Sequence, residues 1–212
     1  MQILLDHITS TVIAGIVFII LMTLQWRVNE TTIERTILYM GKKNTLNLGE
    51  IIERDVENAG FNIFPGEDGI ITHQNTNYGD DTYTSLLEFV SADEDGNQIK
   101  VKYTISLLDS LVINGNPLPL LSLLREEDSG SGYTVAGGSA ARLTDFDVDL
   151  LSTQNVGATR TDARKLRVRF KTALLPQKLT DDVTVRNQHG IDELIWGMTI
   201  EPPGLKMQGF QG

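Results

Sequence analysis

The 212-residue chain contains no cysteine. That removes any disulfide framework or thiolate metal site, and it leaves the redox compartment unreadable from thiols. Histidine is scarce as well. His7, His73 and His189 lie in separate stretches with no metal-ligand spacing between them, so no imidazole-based metal site is expected. The chain has no HExxH, no GxSxG elbow, no Walker loop and no dinucleotide fingerprint after a strand. Basic residues are outnumbered 18 to 28 by acids, for a formal net charge of -10. That balance disfavours nucleic acid as a partner, because phosphate neutralisation needs clustered Lys and Arg. With 28 acids present, carboxylate pairs occur by chance and select no glycosidase-like dyad. The expectation is a non-enzymatic chain without cofactor or metal.

Two further absences are local. No charged residue interrupts the stretch between His7 and Arg27, and no proline occurs before Pro65. Within the first, Ile8 to Trp26 reads ITSTVIAGIVFIILMTLQW, and from Val12 to Leu24 only Gly15 and Thr23 break a run of large aliphatic residues. Such a segment needs lipid or other helices around it. A helix from Ile3 to Leu24 rises about 33 Å, enough for a bilayer core, although Asp6 then lies inside it and the uncharged part is near the lower limit of roughly 17 to 20 residues. No basic n-region or small-residue cleavage site of a secretory signal precedes or follows the run. Arg27, the nearest basic residue, is weak support for orientation.

From Val28 to Ala59 the chain turns polar while Ile33, Ile37, Met40, Leu48, Ile51, Ile52, Val56 and Ala59 recur at three- and four-residue steps. This is one amphipathic stripe. Gly60, Phe61 and Pro65 supply a stop. A continuous helix from Ile8 to Ala59 is about 78 Å long. Its apolar half, residues 1–26, is expected to project, and its amphipathic half, residues 27–60, to lie on a domain formed by residues 61–212.

Beyond Pro65, Gly, Asn and Asp punctuate short strand-like runs. Gly66 to Tyr83 reads as a loop. Thr84 to Ser91 and Gln98 to Leu107 read as a hairpin around Asp95-Gly96-Asn97. Asp93, Asp95 and Asn97 lack the full ligand series of a calcium loop and read as a turn. Ser110 to Glu127 is a connection whose apolar part, Leu118 to Leu124, can enter the sheet; Ser129 to Gly138 reads as a loop. Two segments alternate cleanly: Leu143 to Leu151 puts Asp145, Asp147 and Asp149 on one face, and Lys165 to Leu174 puts Arg167, Arg169 and Lys171 on one face. Paired antiparallel, they set an acidic row against a basic row on the solvent side, each pair contributing about 0.2 to 1 kcal/mol. Leu194 to Ile200 is a last strand, and the tail after Pro202 reads as irregular.

An apolar helix half, an amphipathic half and an antiparallel domain in this order resemble a type IV pilin or pseudopilin. IIERDVENAGF, Ile51 to Phe61, resembles the end of the long helix in minor pilins of the W class and minor pseudopilins of the J class. SLLEF (Ser85–Phe89), VKYTI (Val101–Ile105), LLRE (Leu123–Glu126), VAGGSAARLTDFDVDLL (Val135–Leu151) and KLRVRF (Lys165–Phe170) follow in the order in which that class places its strands. At the N-terminus Ile3-Leu4-Leu5-Asp6 matches the family's Thr-Leu-x-Glu with Asp for Glu, but no Gly-Phe precedes it.

The resemblance implies an α+β, pilin-like fold and a structural subunit of a type IV pilus-like filament. It also implies assembly contacts through Asp6, Ile8, Val12, Gly15, Ile16, Phe18, Ile19 and Met22. Partners would be copies of the chain, other pilin-like subunits and the assembly machinery, with the inner membrane as the site before assembly and the cell surface afterwards. Asp6 either pairs with an N-terminal amine of a neighbouring subunit or caps its own helix. Within the family, a minor pilin or pseudopilin that primes or caps a filament is the alternative. Outside it, a monomeric membrane-anchored extracytoplasmic binding domain fits the same hydropathy.

Overall fold

The computed structural model describes residues 2–63, 67–79, 81–93, 95–139, 142–175, 183–184, 187 and 190–207, with side chains described from His7 onward. It shows an α+β fold of one long N-terminal helix and an eight-stranded antiparallel sheet. The chain forms two compact units, 1–40 and 41–212, so the division falls inside helix α1 (Gln2–Glu57).

In the first unit the helix is apolar all round from Ile8 to Trp26. Every large aliphatic side chain from Ile8 to Val28 is about half exposed or more, and the segment is long and apolar enough to cross a membrane. Its threonines do not need water. The hydroxyls of Thr11, Thr23, Thr31, Thr32 and Thr36 donate to the carbonyls of His7, Ile19, Arg27, Val28 and Thr32 at 2.8–2.9 Å. A hydroxyl bonded back to the preceding turn is satisfied wherever the helix is placed. Ile33 and Met40 belong to this unit.

In the second unit, α1 from Gly41 on packs through Leu48, Ile52 and Val56, followed by Ala59 in the turn after it, all buried in one core with the sheet. Two glycines set the approach. A Cβ at Gly41 would stand 2.3 Å from Leu174 Cδ2, and one at Gly49 would stand 2.5 Å from Trp196 Nε1. The sheet comprises β1 (Ile70–Tyr78), β2 (Asp81–Ala92), β3 (Gln98–Ile113), β4 (Asn116–Asp128), β5 (Thr134–Gly138), β6 (Leu143–Leu151), β7 (Lys165–Leu174) and β8 (Asp192–Ile200), in the order β1-β2-β3-β4-β6-β7-β8 with β5 also on β4. β6 touches β4 through one bridge, Leu121 to Leu143, while β5 occupies β4 from Leu124 to Glu127. The sheet is thus two meanders, β1–β4 and β6–β8. Phe89 stacks on Tyr103 in one, and Phe146, Phe170 and Trp196 stack in the other, at centroid distances of 6.2, 6.5 and 5.0 Å.

The clean alternators lie where the sequence predicts: β6 and β7 match Leu143–Leu151 and Lys165–Leu174 residue for residue. Two loop assignments are corrected. Residues 70–78 form β1, whose polar sequence ITHQNTN shows no alternation but gains a full ladder from β2. Residues 134–138 form β5, which its two glycines conceal. The tail also departs from expectation, because Pro203–Met207 forms a short helix, α2.

Helix α1 closes as predicted at Gly60, whose φ of 75° is the left-handed conformation that favours glycine. Its amide donates to Val90 O at 2.8 Å. Gly204 of α2 lies directly against it: a Cβ at Gly204 would stand 2.1 Å from Gly60 O and 2.8 Å from Ala59 O. Both obstacles are backbone and cannot swing aside. Gly204→Ala is therefore expected to destabilise the protein by at least about 2 kcal/mol by overpacking, measured as a lower midpoint in urea. An unchanged midpoint would contradict this packing of α2 on the helix end.

Candidate functional site

One buried charged group sits on the core face of α1. Asp55 follows Ile52 by three residues and Leu48 by seven, which places it on the stripe itself. It is only 4% exposed. Opposite it, Arg125 of β4 occupies the inward position after Leu121 and Leu123 and is 6% exposed. The pair is bidentate: Arg125 Nε donates to Asp55 Oδ2 at 2.5 Å and Nη2 donates to Oδ1 at 2.9 Å. Tyr103 of β3 donates its hydroxyl to Oδ2 at 2.5 Å. Arg125 Nη1 reaches the half-exposed Glu127 at 2.6 Å, and Ser91 of β2 donates to the carbonyl of Asp55 at 3.2 Å. Donors from two strands, β3 and β4, thus hold one helix carboxylate, and a third strand, β2, holds the backbone carbonyl of the same residue.

The titration of these groups follows from the geometry. Burial works against the Arg125 charge, but the hydrogen-bonded Asp55 carboxylate outweighs it and raises the guanidinium above its ordinary range. Burial first, and then the charge of Asp55, push the Tyr103 phenol well above the usual tyrosine value. A second buried polar contact lies about three turns earlier on α1, where Thr45 and Thr172 of β7 share a hydrogen bond of 2.7 Å. A narrow cavity of about 70 Å³ adjoins the ion pair, between Leu48, Ile51 and Arg54 of α1 and Ala136 to Gly138 of β5.

The acidic and basic rows face each other across β6 and β7: Asp145 opposite Lys171, Asp147 opposite Arg169 and Asp149 opposite Arg167. Arg169 binds Asp147 and also Asp149 at 3.2 Å, Lys171 lies 3.5 Å from Asp145, and Arg167 lies 3.7 Å from Asp149. Burial holds the Asp145 carboxyl above the usual range despite Lys171. The rows line an open cleft of about 500 Å³ together with Thr82 and Ile195.

Of the assembly residues expected on the helix, Ile8, Val12, Ile16, Phe18, Ile19 and Met22 have exposed side chains, and Gly15 has open space around it. The side chain of Asp6 lies outside the described residues. His7 is on α1 and His73 on β1, and His189 lies outside the described residues. His73 is held below its ordinary pKa by burial, with Nε2 lacking a hydrogen-bond partner. Asp93 accepts from the amides of Asp95 and Asn97 at 2.9 and 2.7 Å, so its carboxylate organises its own turn. Among the described residues, no three His, Asp or Glu side chains are grouped to hold a metal ion.

Comparison with models of known protein families, with curated proteins and with solved structures found no match.

Removing one partner of a buried ion pair costs far more than removing both. Asp55→Leu or Arg125→Met alone is expected to cost roughly 3 to 5 kcal/mol, and the double variant appreciably less than their sum; equilibrium unfolding of the four proteins gives the coupling, and additivity would refute the pairing. Tyr103 has a folded pKa above its unfolded value of about 10. Its contribution is therefore complete below that pH and lost as pH rises towards the folded pKa. Tyr103→Phe should flatten the alkaline fall in stability, read as the difference between the two pH profiles above about pH 10.

Proposed function

We propose that this chain is a structural subunit of a type IV pilus-like extracellular filament that polymerises through the first half of α1. One observation carries the reading: a helix exposes large apolar side chains on every side from Ile8 to Val28, and its C-terminal continuation is built into the core of an antiparallel domain. The internally bonded threonines support it, since they suit both lipid and a dry helix bundle. The subunit inserts in the inner membrane and then leaves it, the apolar helices forming the filament core and the β-domains its surface. Ile8, Val12, Gly15, Ile16, Phe18, Ile19 and Met22 meet neighbouring helices. Asp6 lies at the tip, where a carboxylate needs a partner once it is withdrawn from water.

The test is recovery of sheared surface filaments, with the chain identified by N-terminal sequencing. Ile16→Asp is expected to lower recovery about tenfold or more, because an unpaired charge within an apolar helix costs about 2.5 to 3.5 kcal/mol, while the circular dichroism of the β-domain is unchanged. Absence of the chain from any filament overturns the reading in favour of a monomeric anchored domain. Presence only in trace amounts assigns it the role of a minor, priming subunit.

A further inference from the structure

The edges of the sheet are treated unequally. At one end, the carbonyl of Ile71 in β1 is capped by the Arg160 side chain, so the loop after β6 guards that edge. At the other end β8 carries LIWGMTI from Leu194 to Ile200, with no charge and no proline inside it. Among the described residues no backbone group bonds to its outer side. Ile195 is 75% exposed there. A long uncharged edge strand is a template for pairing, and monomeric proteins avoid it.

The same chain presents a second open edge. The ladder between β2 and β3 ends at Thr104, yet β3 runs on to Ile113, paired only with β4. From Ser106 to Ile113 its free side has no backbone partner among the described residues. Leu107, Leu108 and Val112 are exposed there, and Leu108 is 67% exposed. The arm's other strand includes Pro117 and Pro119, whose missing amides spoil that side for pairing. β5 offers only five residues.

We propose that β8 of one subunit pairs antiparallel with the 106–113 edge of β3 in the next subunit. Charge selects this over self-pairing of β8. Two β8 strands side by side would bring Asp192 and Glu193 of each against the Ile200–Glu201 end of the other, like charge near like. The β3 arm carries a single acid, Asp109, within the pairing stretch. Because the two edges are different surfaces of one chain, the contact is heterologous and does not close on itself. It extends the sheet from copy to copy over the filament surface. The inference rests on the filament reading above.

The absence of native cysteine makes the test direct. Ile195→Cys is combined in turn with a single cysteine at each position from 106 to 112 in the full chain, and sheared filaments are oxidised and run without reductant. Strands β4, β6 and β7 separate the two positions within one chain, so a disulfide reports two copies. Directly opposed residues lie roughly 4.5 to 5.5 Å apart, within disulfide reach. The expected result is a ladder of trimers and higher species at alternate arm positions, with no cross-link from either single-cysteine variant. Dimers from Ile195→Cys alone overturn the proposal in favour of β8 self-pairing. Intact filaments without any ladder overturn it while the filament reading stands, and absence of the chain from filaments removes both.

Discussion

The ion pair between Asp55 and Arg125 sets the register of the second unit. A carboxylate at 4% exposure and a guanidinium at 6% tolerate no loosening, because either one left alone in the core is heavily penalised. Turning α1 by one residue would swing Asp55 about 100° away from its three donors. Sliding it by one turn towards the C-terminus of the helix would set Ile52 or Ile51 against the guanidinium. Such a pair adds little net stability compared with a well-packed apolar replacement. Its effect is selective: of the many ways an amphipathic helix can lie on an apolar sheet, it admits one. Tyr103 and Ser91 extend the same restriction to β3 and β2.

Glycines and aromatics then make that single docking close. Gly41 and Gly49 fall on the side of α1 that meets Leu174 and Trp196, and the Phe146–Phe170–Trp196 stack presents a flat surface beneath them. Gly197 plays the corresponding part on β8. A Cβ there would stand 3.3 Å from Arg169 Cγ, so the missing side chain leaves room for the arginine stem that spans Asp147 and Asp149.

Elements with strict alternation are legible in the sequence, down to the pairing of opposite charges on β6 and β7. There the same residues that determine the face also determine the partner. Strands β1 and β5 are not legible, since polar or glycine-rich strands carry no period and owe their conformation to a neighbour's ladder. The stripe on α1 is read too wide, because Ile51 obeys helical spacing and yet is 39% exposed. Asp55 breaks the apolar pattern, and that break is its signal: an acid at a core position, matched by an arginine at a core position of a strand. Spacing alone shows two exceptions without showing that they answer each other. The apolar segment was evident from the start because no charge interrupts it.

The single bridge between Leu121 and Leu143 has a mechanical meaning. The two meanders share side-chain packing but almost no continuous backbone ladder. Helix α1 touches both, through Asp55 on the β1–β4 side and through Thr45 and Gly49 on the β6–β8 side. It therefore acts as a tie-bar. Along residues 41–57 it is held to the sheet by one buried ion pair and one hydroxyl contact, with Leu48, Ile52 and Val56 buried between them and beside them. A pull along the helix therefore reaches both meanders at once, through Arg125 on β4 and Thr172 on β7.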